Sequence, residues 1–405
     1  MKIAFIVGRF PKISESYILN QITGLLDLGH EVEIFAQSRP DEDKIHPDVE
    51  KYKLPERTHY FVLPRNIGHR TRKAALMIGE SVHKKSYTIL KSLNILKYGR
   101  HASSLRLMNL HYLLSERRFD VVHCHFGANG ILGVYLKELG IPVKCVTSFH
   151  GSDINSDPLK YGPHIYDELF IKGDLFTANT NFTKQQIVQL GCDEGKIEIL
   201  PMGLRLEKFI LSERKINDKS PVIILTVGRL TEKKGHEYAV RALAKVIAGF
   251  PDIIYFIAGD GPLRANLESL VSELGIKGNV KFMGQVDEGE VLRLYQKAHI
   301  FLLPSVTAGN GDREGQALVL QEAQALGMPV ISTIHNGIPE GILNGKSGYL
   351  VPEKDIEALA NRIIHLIKHQ ELWPEMGRAG RWFVEGRYDM KDLSERLISY
   401  YSKLI

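Results

Sequence analysis

Cysteine is scarce in this chain: Cys124, Cys145 and Cys192 are the only three in 405 residues. An odd and sparse set argues against a disulfide framework and fits a reducing cytosol. Long apolar runs are missing as well. None approaches the ~18 residues needed to span a bilayer. The opening KIAFIVGRF has five apolar residues running before Gly8, too few for the core of a secretory signal. A cytoplasmic protein is expected, and Asn181-Phe182-Thr183 is then a chance match to a glycosylation sequon. Several catalytic and binding motifs are also absent. There is no G-x-S-x-G nucleophile elbow. Gly259-Asp260-Gly261 lacks the third glycine of a dinucleotide fingerprint. The run from Gly341 to Gly348 has one residue too few between its first two glycines for a P-loop and precedes a strand. Asp41-Glu42-Asp43, between Pro40 and Lys44, reads as a solvated turn rather than a metal site.

What remains is ordinary globular material with an uneven charge. Hydrophobic residues at 44% and charged residues at 24% are typical of soluble domains, and the length suits two of them. The net charge of +5 is concentrated: Arg65 to Arg118 carry twelve Lys and Arg against two acids, Glu80 and Glu116, so the rest of the chain is net negative. Apolar residues interleave these bases, as in AALMIGESVHKKSYTILKSLNILKYGR. That composition suits an amphipathic surface, at residues 65–118, for an anionic membrane or acceptor. It equally suits a helical insertion whose lysines face water. No aromatic platform or recognised motif points to nucleic acid.

Strands and helices alternate twice. MKIAFIV, EVEIFAQ, DVVHCHF, VKCVTSF, DLFTANT and KIEILPM read as strands in the first half, with a helix over Ser14–Leu28. After the polar stretch SERKINDKSP the pattern restarts with VIILTVG, DIIYFIAG, NVKFMG, HIFLLPS, PVIST and GYLVP. Short apolar strands separated by helices such as GHEYAVRALAKVIAGF imply parallel sheets covered on both faces. The expected fold class is α/β, with two doubly wound Rossmann-like domains facing across a cleft and ligands at the carboxyl ends of the strands. We expect domains at residues 1–205 and 206–385, and a terminal helix at 386–405 packing back on the first.

Candidate chemistry collects in the second half. PSVTAGNGDREGQALVLQEAQALGMPVIST reads as a strand, a loop, and a helix from about Gly315 to Leu326. The loop brings Glu314 to the helix mouth, and the helix carries Glu322 roughly 12 Å further on at about 1.5 Å per residue. Backbone N–H groups of Gly315, Gln316 and Ala317 between them offer an anion seat. Upstream, VGRLTEKKG places Arg229 and Lys234 beside a helix start, where two cations can neutralise a diphosphate. In the first half, His150 of FHGSD follows a strand and faces whatever fills the cleft, although a lone histidine is often structural. His123 and His125 share one sheet face and, without further ligands, suit core or cleft packing better than a metal.

Together GRLTEKKG, AGDGPL, FMGQV, HIFLLPS, EGQALVLQE, ALGMPVIST and NGIPE resemble, in order and spacing, the retaining GT-B-fold glycosyltransferases of family 4. FPKISESYILNQ and HCHFG are similar to the bacterial exopolysaccharide, colanic-acid-type branch. The resemblance implies a hexosyltransferase that uses a UDP-sugar, needs neither cofactor nor metal, and serves a lipid-linked or oligosaccharide acceptor at the inner face of the plasma membrane. It implies that Arg229 and Lys234, next to Gly228, hold the donor diphosphate, and that Glu322 holds the ribose. Glu314 would contact the sugar hydroxyls with Gly315–Ala317 nearby, His150 would lie beside the anomeric centre, and Met283 and Gly284 would border the base. The turn after the first strand, GRFPKISES, has only Gly8 where the family carries more glycine. Arg9, Ser14, Ser16 and His125 are the candidates on the acceptor side. Rival expectations are a GDP-sugar donor, an inverting transferase, a nucleotide-sugar epimerase, and a non-catalytic nucleotide-sugar-binding partner at the membrane.

Overall fold

The computed structural model describes residues 1–41, 45–62, 66–81, 86–215 and 220–405. Glu42 and Asp43 of the expected turn, Arg65, Lys84 and Lys85 of the basic segment, and 216–219 of the polar stretch lie outside the described residues.

Two parallel sheets form from the apolar runs. The first contains β1 (Lys2–Arg9), β2 (Glu31–Ser38), β3 (Thr58–Tyr60), β4 (Val121–His125), β5 (Lys144–Phe149), β6 (Leu175–Ala178) and β7 (Ile197–Ile199), in the order β3-β2-β1-β4-β5-β6-β7. The second contains β8 (Val222–Val227), β9 (Ile253–Ala258), β10 (Val280–Gly284), β11 (Ile300–Leu303), β12 (Val330–Thr333) and β13 (Gly348–Val351), in the order β10-β9-β8-β11-β12-β13. Central strands such as β8 and β11 are almost wholly apolar because both faces are covered, whereas β3 and β10 at the sheet edges carry polar or exposed residues. In β1, Ile3, Phe5 and Val7 pack to one side and Ala4 and Ile6 to the other, and none is more than 1% exposed. Helix His236–Ile247 buries Ala239, Val240, Leu243 and Val246 at helical spacing.

Strand order reverses between β1 and β4 and between β8 and β11, which opens a crevice at the carboxyl ends of each sheet. Gly259, rejected as part of a dinucleotide motif, has a different purpose here. It has φ +139°, and a Cβ there would lie 2.0 Å from the Gly228 carbonyl oxygen, so a bare backbone lets the loops after β8 and β9 touch. All three cysteines are free and buried.

The chain crosses between the sheets after β7 and again after helix Trp373–Tyr388. At the crossing the Leu204 N–H donates to the Tyr388 carbonyl at 2.7 Å, and the Met390 N–H donates to the Leu204 carbonyl at 2.9 Å. Helix Met390–Ser402 then lies on the first sheet, burying Leu393, Leu397 and Tyr401 in one cluster with Ile3 and Phe5.

Strand β3 was not read from sequence. Between it and β4 lie helices Ile67–Ser81, Ser86–Lys91, Ile95–Tyr98, Arg100–Ser103 and Arg106–Ser115, held by a small core of Ala74, Met77, Ile89 and Met108. Leu76, Tyr87, Leu90, Ile95 and Leu96 of this group are more than half exposed. Among the described residues, no helix is long and apolar enough to cross a membrane.

The terminal helix gives a stability test. Leu397 is fully buried against the first sheet, so Leu397→Ala should cost about 2–5 kcal/mol in urea unfolding. A cost well under about 1 kcal/mol would show that this helix does not share the core.

Candidate functional site

The loops after β8 and β11 are laced together at the carboxyl end of the second sheet. Gly309 N–H donates to Glu232 Oε1 at 3.0 Å, Lys233 Nζ lies 3.1 Å from Asp312, and Lys234 Nζ lies 2.6 Å from Glu314 Oε2. Three consecutive residues of TEKKG thus grip one loop. Lys234 lays its stem along Gly228, and it and Glu314 are each 14% exposed in the side chain. Burial alone would push the Glu314 carboxyl up. Lys234 and then Lys233 outweigh it and hold the group below the usual range. Arg229 is exposed beside them, with its carbonyl accepting from His236 Nε2 at 3.1 Å. Met283 (40% exposed) and Gly284 end the edge strand β10.

The helix expected from about Gly315 to Leu326 is shorter, spanning Leu318–Ala325. Ala317 takes a left-handed conformation, φ 57°, which interrupts the helical run. Gln316 turns inward instead, its Oε1 accepting from Met202 N–H at 2.7 Å and its Nε2 donating to the Met202 carbonyl at 2.9 Å. The N–H groups of Gly315, Gln316 and Ala317 therefore belong to a loop, and the first turn of the helix itself begins at Leu318. Glu322 sits mostly buried on that helix and accepts from the Tyr295 hydroxyl at 2.8 Å. Burial, reinforced by nearby Glu288, pushes its carboxyl up to about 7, with the Tyr295 hydrogen bond and Lys234 pulling the other way.

On the first-domain side, His150 follows β5. Its Nε2 shares a hydrogen bond with His125 Nδ1 at 2.9 Å, and Tyr17 packs tilted on its ring at 4.7 Å. Burial pushes the His150 imidazole down to about 3, so near neutral pH it is an uncharged hydrogen-bonding group. Asp153 fixes the turn around it, accepting from the N–H groups of His150 (3.1 Å), Gly151 (2.9 Å) and Gly127 (3.2 Å). His125 lies behind His150 and is only 1% exposed, so it does not face the open cleft; its ring stacks on His123 at 4.9 Å. Arg9 and Ser14 are exposed near the end of β1, and Ser16 opens helix Ser16–Asp27.

Gly315 brings the two halves together. A Cβ on it would lie 2.5 Å from the His150 carbonyl oxygen, so only a bare backbone fits that contact. A second clasp joins the domains nearby: Glu340 accepts from the N–H groups of Asn181 and Phe182 and from Asn181 Nδ2, each at 2.8 Å. These are the first groups of helix Asn181–Gln189, where a carboxylate suits the positive end of the helix dipole. The sequon asparagine thus has a structural partner. Sequence reading named the FHGSD and NGIPE segments but assigned no role to Asp153 or Glu340. Their signal was an acid in a loop after a strand's carboxyl end, and apart from Asn181 Nδ2 their partners are backbone groups that leave no mark in sequence.

Comparison with known proteins agrees across the chain. Residues 208–382 match the model described as "Glycosyl transferases group 1", and residues 14–208 match "Glycosyltransferase Family 4". The chain is 35% identical to an Escherichia coli (strain K12) glycosyltransferase named for colanic acid biosynthesis, over 100% of both chains. It is 37% identical to the amylovoran biosynthesis glycosyltransferase AmsK of Erwinia amylovora, over 90% of each. The crystal structure of Anabaena HepE in complex with UDP superposes with a TM-score of 0.74, covering all of both chains at 16% identity.

Glu322 predicts a pH dependence. Its carboxyl is raised from 4.5 to about 7, so the folded chain holds this proton more tightly than the unfolded one. The contribution to stability is complete below about 4.5 and is lost as pH rises through 7. In thermal unfolding without ligand, the wild type should lose stability relative to Glu322→Gln between about pH 5 and 8. Parallel profiles for the two proteins would contradict the raised value.

Proposed function

Because the chain belongs to the family 4 glycosyltransferases and has their two-domain GT-B fold, we propose that it moves a hexose from a UDP-sugar to a lipid-linked or oligosaccharide acceptor. The transfer retains the anomeric configuration, requires no metal, and serves exopolysaccharide or cell-surface polysaccharide synthesis. The observation that carries this reading is the Lys234–Glu314 pair, 2.6 Å apart, beside the contact of Gly315 with the His150 carbonyl. A cation for phosphate, a carboxylate for sugar hydroxyls and an uncharged imidazole converge where the strands of both sheets end. The names of the colanic acid and amylovoran relatives support the biosynthetic setting, and the UDP complex of a protein with the same fold supports the nucleotide.

Residues 1–205 hold the acceptor and 206–385 the donor. The diphosphate takes Lys234 from Glu314 and adds Arg229, while Glu322 binds the ribose hydroxyls and Met283 and Gly284 border the base. Glu314 and the Gly315–Ala317 backbone hold the sugar. The acceptor hydroxyl oxygen bonds to the anomeric carbon on the face from which the diphosphate departs. The sugar–phosphate bond breaks, and the hydroxyl proton passes to the departing phosphate oxygen. Arg229 and Lys234 stabilise the negative charge that grows on that phosphate, an interaction strongest in the transition state. His150 hydrogen-bonds a sugar hydroxyl without changing its own charge.

A thermal-shift screen of UDP- and GDP-sugars in EDTA tests donor and metal dependence together. A UDP-sugar should raise the melting temperature with EDTA present. Stabilisation by GDP-sugars alone would replace the nucleotide assignment, and stabilisation abolished by EDTA would end metal independence. With the stabilising donor, Lys234→Ala should lower turnover at least ~100-fold, the scale of losing one preorganised charge stabiliser. Unchanged turnover would remove Lys234 from the diphosphate.

The helices between β3 and β4 form the membrane-facing side in this reading. Exposed Leu76, Tyr87, Leu90, Ile95 and Leu96 lie among exposed bases such as Arg72, Lys73 and Lys91, the composition of an interfacial surface. The protein should bind vesicles containing anionic lipid and release them as salt rises. Equal binding to neutral vesicles at all salt concentrations would contradict the electrostatic part.

A further inference from the structure

The loop that carries Glu314 is held by a buried histidine and an acid with no part in the reading above. His335 follows β12, and its side chain is fully buried, while Glu353 follows β13. Glu314 N–H donates to His335 Nε2 at 3.1 Å. His335 Nδ1 lies 2.6 Å from Glu353 Oε1. The other oxygen of Glu353 accepts from Thr307 N–H at 2.8 Å, near the start of the same loop. Asn336 Nδ2 donates to the Glu314 carbonyl at 3.1 Å and lies 3.2 Å from His335 Nε2.

This arrangement leaves one consistent assignment of hydrogens. A backbone N–H cannot accept, so His335 Nε2 must offer its lone pair to Glu314. An ionised carboxylate cannot donate, so His335 Nδ1 must carry the hydrogen toward Glu353. Burial alone would raise the Glu353 carboxyl, yet the His335 hydrogen bond and the Thr307 N–H hold it below its usual range. The chain of bonds thus runs from a charged group through an oriented imidazole to the main chain of Glu314. A carboxylate that orients an imidazole is a familiar way to set both tautomer and ring direction.

We propose that His335 and Glu353 are positioning residues that hold Glu314 at the donor sugar, with His335 locked as its Nδ1–H tautomer. Glu353 ties Thr307 near one end of the loop, and His335 and Asn336 tie Glu314 at the other. The loop between them carries Asp312 and Gly309, which pair with Lys233 and Glu232. The lattice therefore sets where Glu314 stands relative to Lys234. Neither residue is called on to touch donor or acceptor. The role assigned to Glu314 rests on the proposed transferase reading, whereas the tautomer does not.

Two measurements test this. In the full-length ligand-free protein, long-range ¹⁵N–¹H correlation of the imidazoles, assigned through a His335→Gln variant, should show His335 as the Nδ1–H tautomer. An Nε2–H tautomer or a doubly protonated ring overturns the proposal whatever the enzyme transfers. The second uses the nucleotide-sugar that most raises the melting temperature. Glu353→Gln and His335→Gln should lower kcat/KM for it about tenfold or more, since small misplacements of a binding group are costly. Affinity for the matching free nucleoside diphosphate, by calorimetry, should change less than about threefold, because Glu322, Arg229 and Lys234 are untouched. Parallel loss of both quantities would mean a general structural role, and unchanged kcat/KM would mean no positioning role; either result overturns the proposal. If His335→Gln does not fold, Glu353→Gln, on a partly exposed side chain, supplies the same comparison.

Discussion

Two backbones in contact determine the shape of the cleft. Gly315 stands so close to the His150 carbonyl that no side chain fits between them. Gly151 faces the same spot from the other side, within 3.6 Å of Gly315 for a Cβ built on it. The carboxyl ends of two independently wound sheets are therefore brought to main-chain distance. Glu314, one residue from this contact, and His150, whose carbonyl forms it, are both placed by it. A side chain at residue 315 would wedge the domains apart and separate the two groups together.

Most of the buried charge in the cleft is paired within the protein. Lys234 and Glu314 form an ion pair, Glu322 shares a hydrogen bond with the Tyr295 hydroxyl, and burial keeps the His150 imidazole uncharged. In the proposed reading, a donor meets Arg229 as an exposed cation and Lys234 already paired. Its diphosphate replaces Glu314 at Lys234, and its sugar hydroxyls replace Lys234 at Glu314. Such an exchange leaves neither buried group without a partner, which limits the desolvation cost of opening the pair.

The strands were legible because each is a short apolar run ended by a polar or glycine residue, and both-face burial removes any ambiguity of alternation. β3 escaped notice because three residues, Thr58–Tyr60, carry too little pattern. The start of the helix after Glu314 was misread for a definite reason. Alanine is a strong helix former, and nothing local announces that Ala317 turns left-handed. That conformation accompanies the bond of Gln316 to Met202, more than a hundred residues away in the chain. Arg229, Lys234, Glu314 and Glu322 were visible by type and spacing within two segments. Glu353 and His335 were not, since they lie 18 residues apart on different loops and their other partners, at Glu314 and Thr307, are anonymous main-chain N–H groups. His125 was visible as a polar residue on a strand, but its depth behind His150 depends on the packing of rings from β1, β4 and β5.

The Glu340 clasp bears on how such chains can be recombined. Helix Asn181–Gln189 has its first two N–H groups covered by a carboxylate from the other domain, and its third by its own Thr180. The helix cap is thus split between the two halves of the molecule. A hybrid that joined this first domain to a second domain lacking an acid at residue 340 would keep every apolar contact within each sheet. It would still leave the helix without its borrowed acceptor, at the seam where the junction must hold. Parental pairs for shuffling are therefore better matched at residues 181 and 340 than by overall identity.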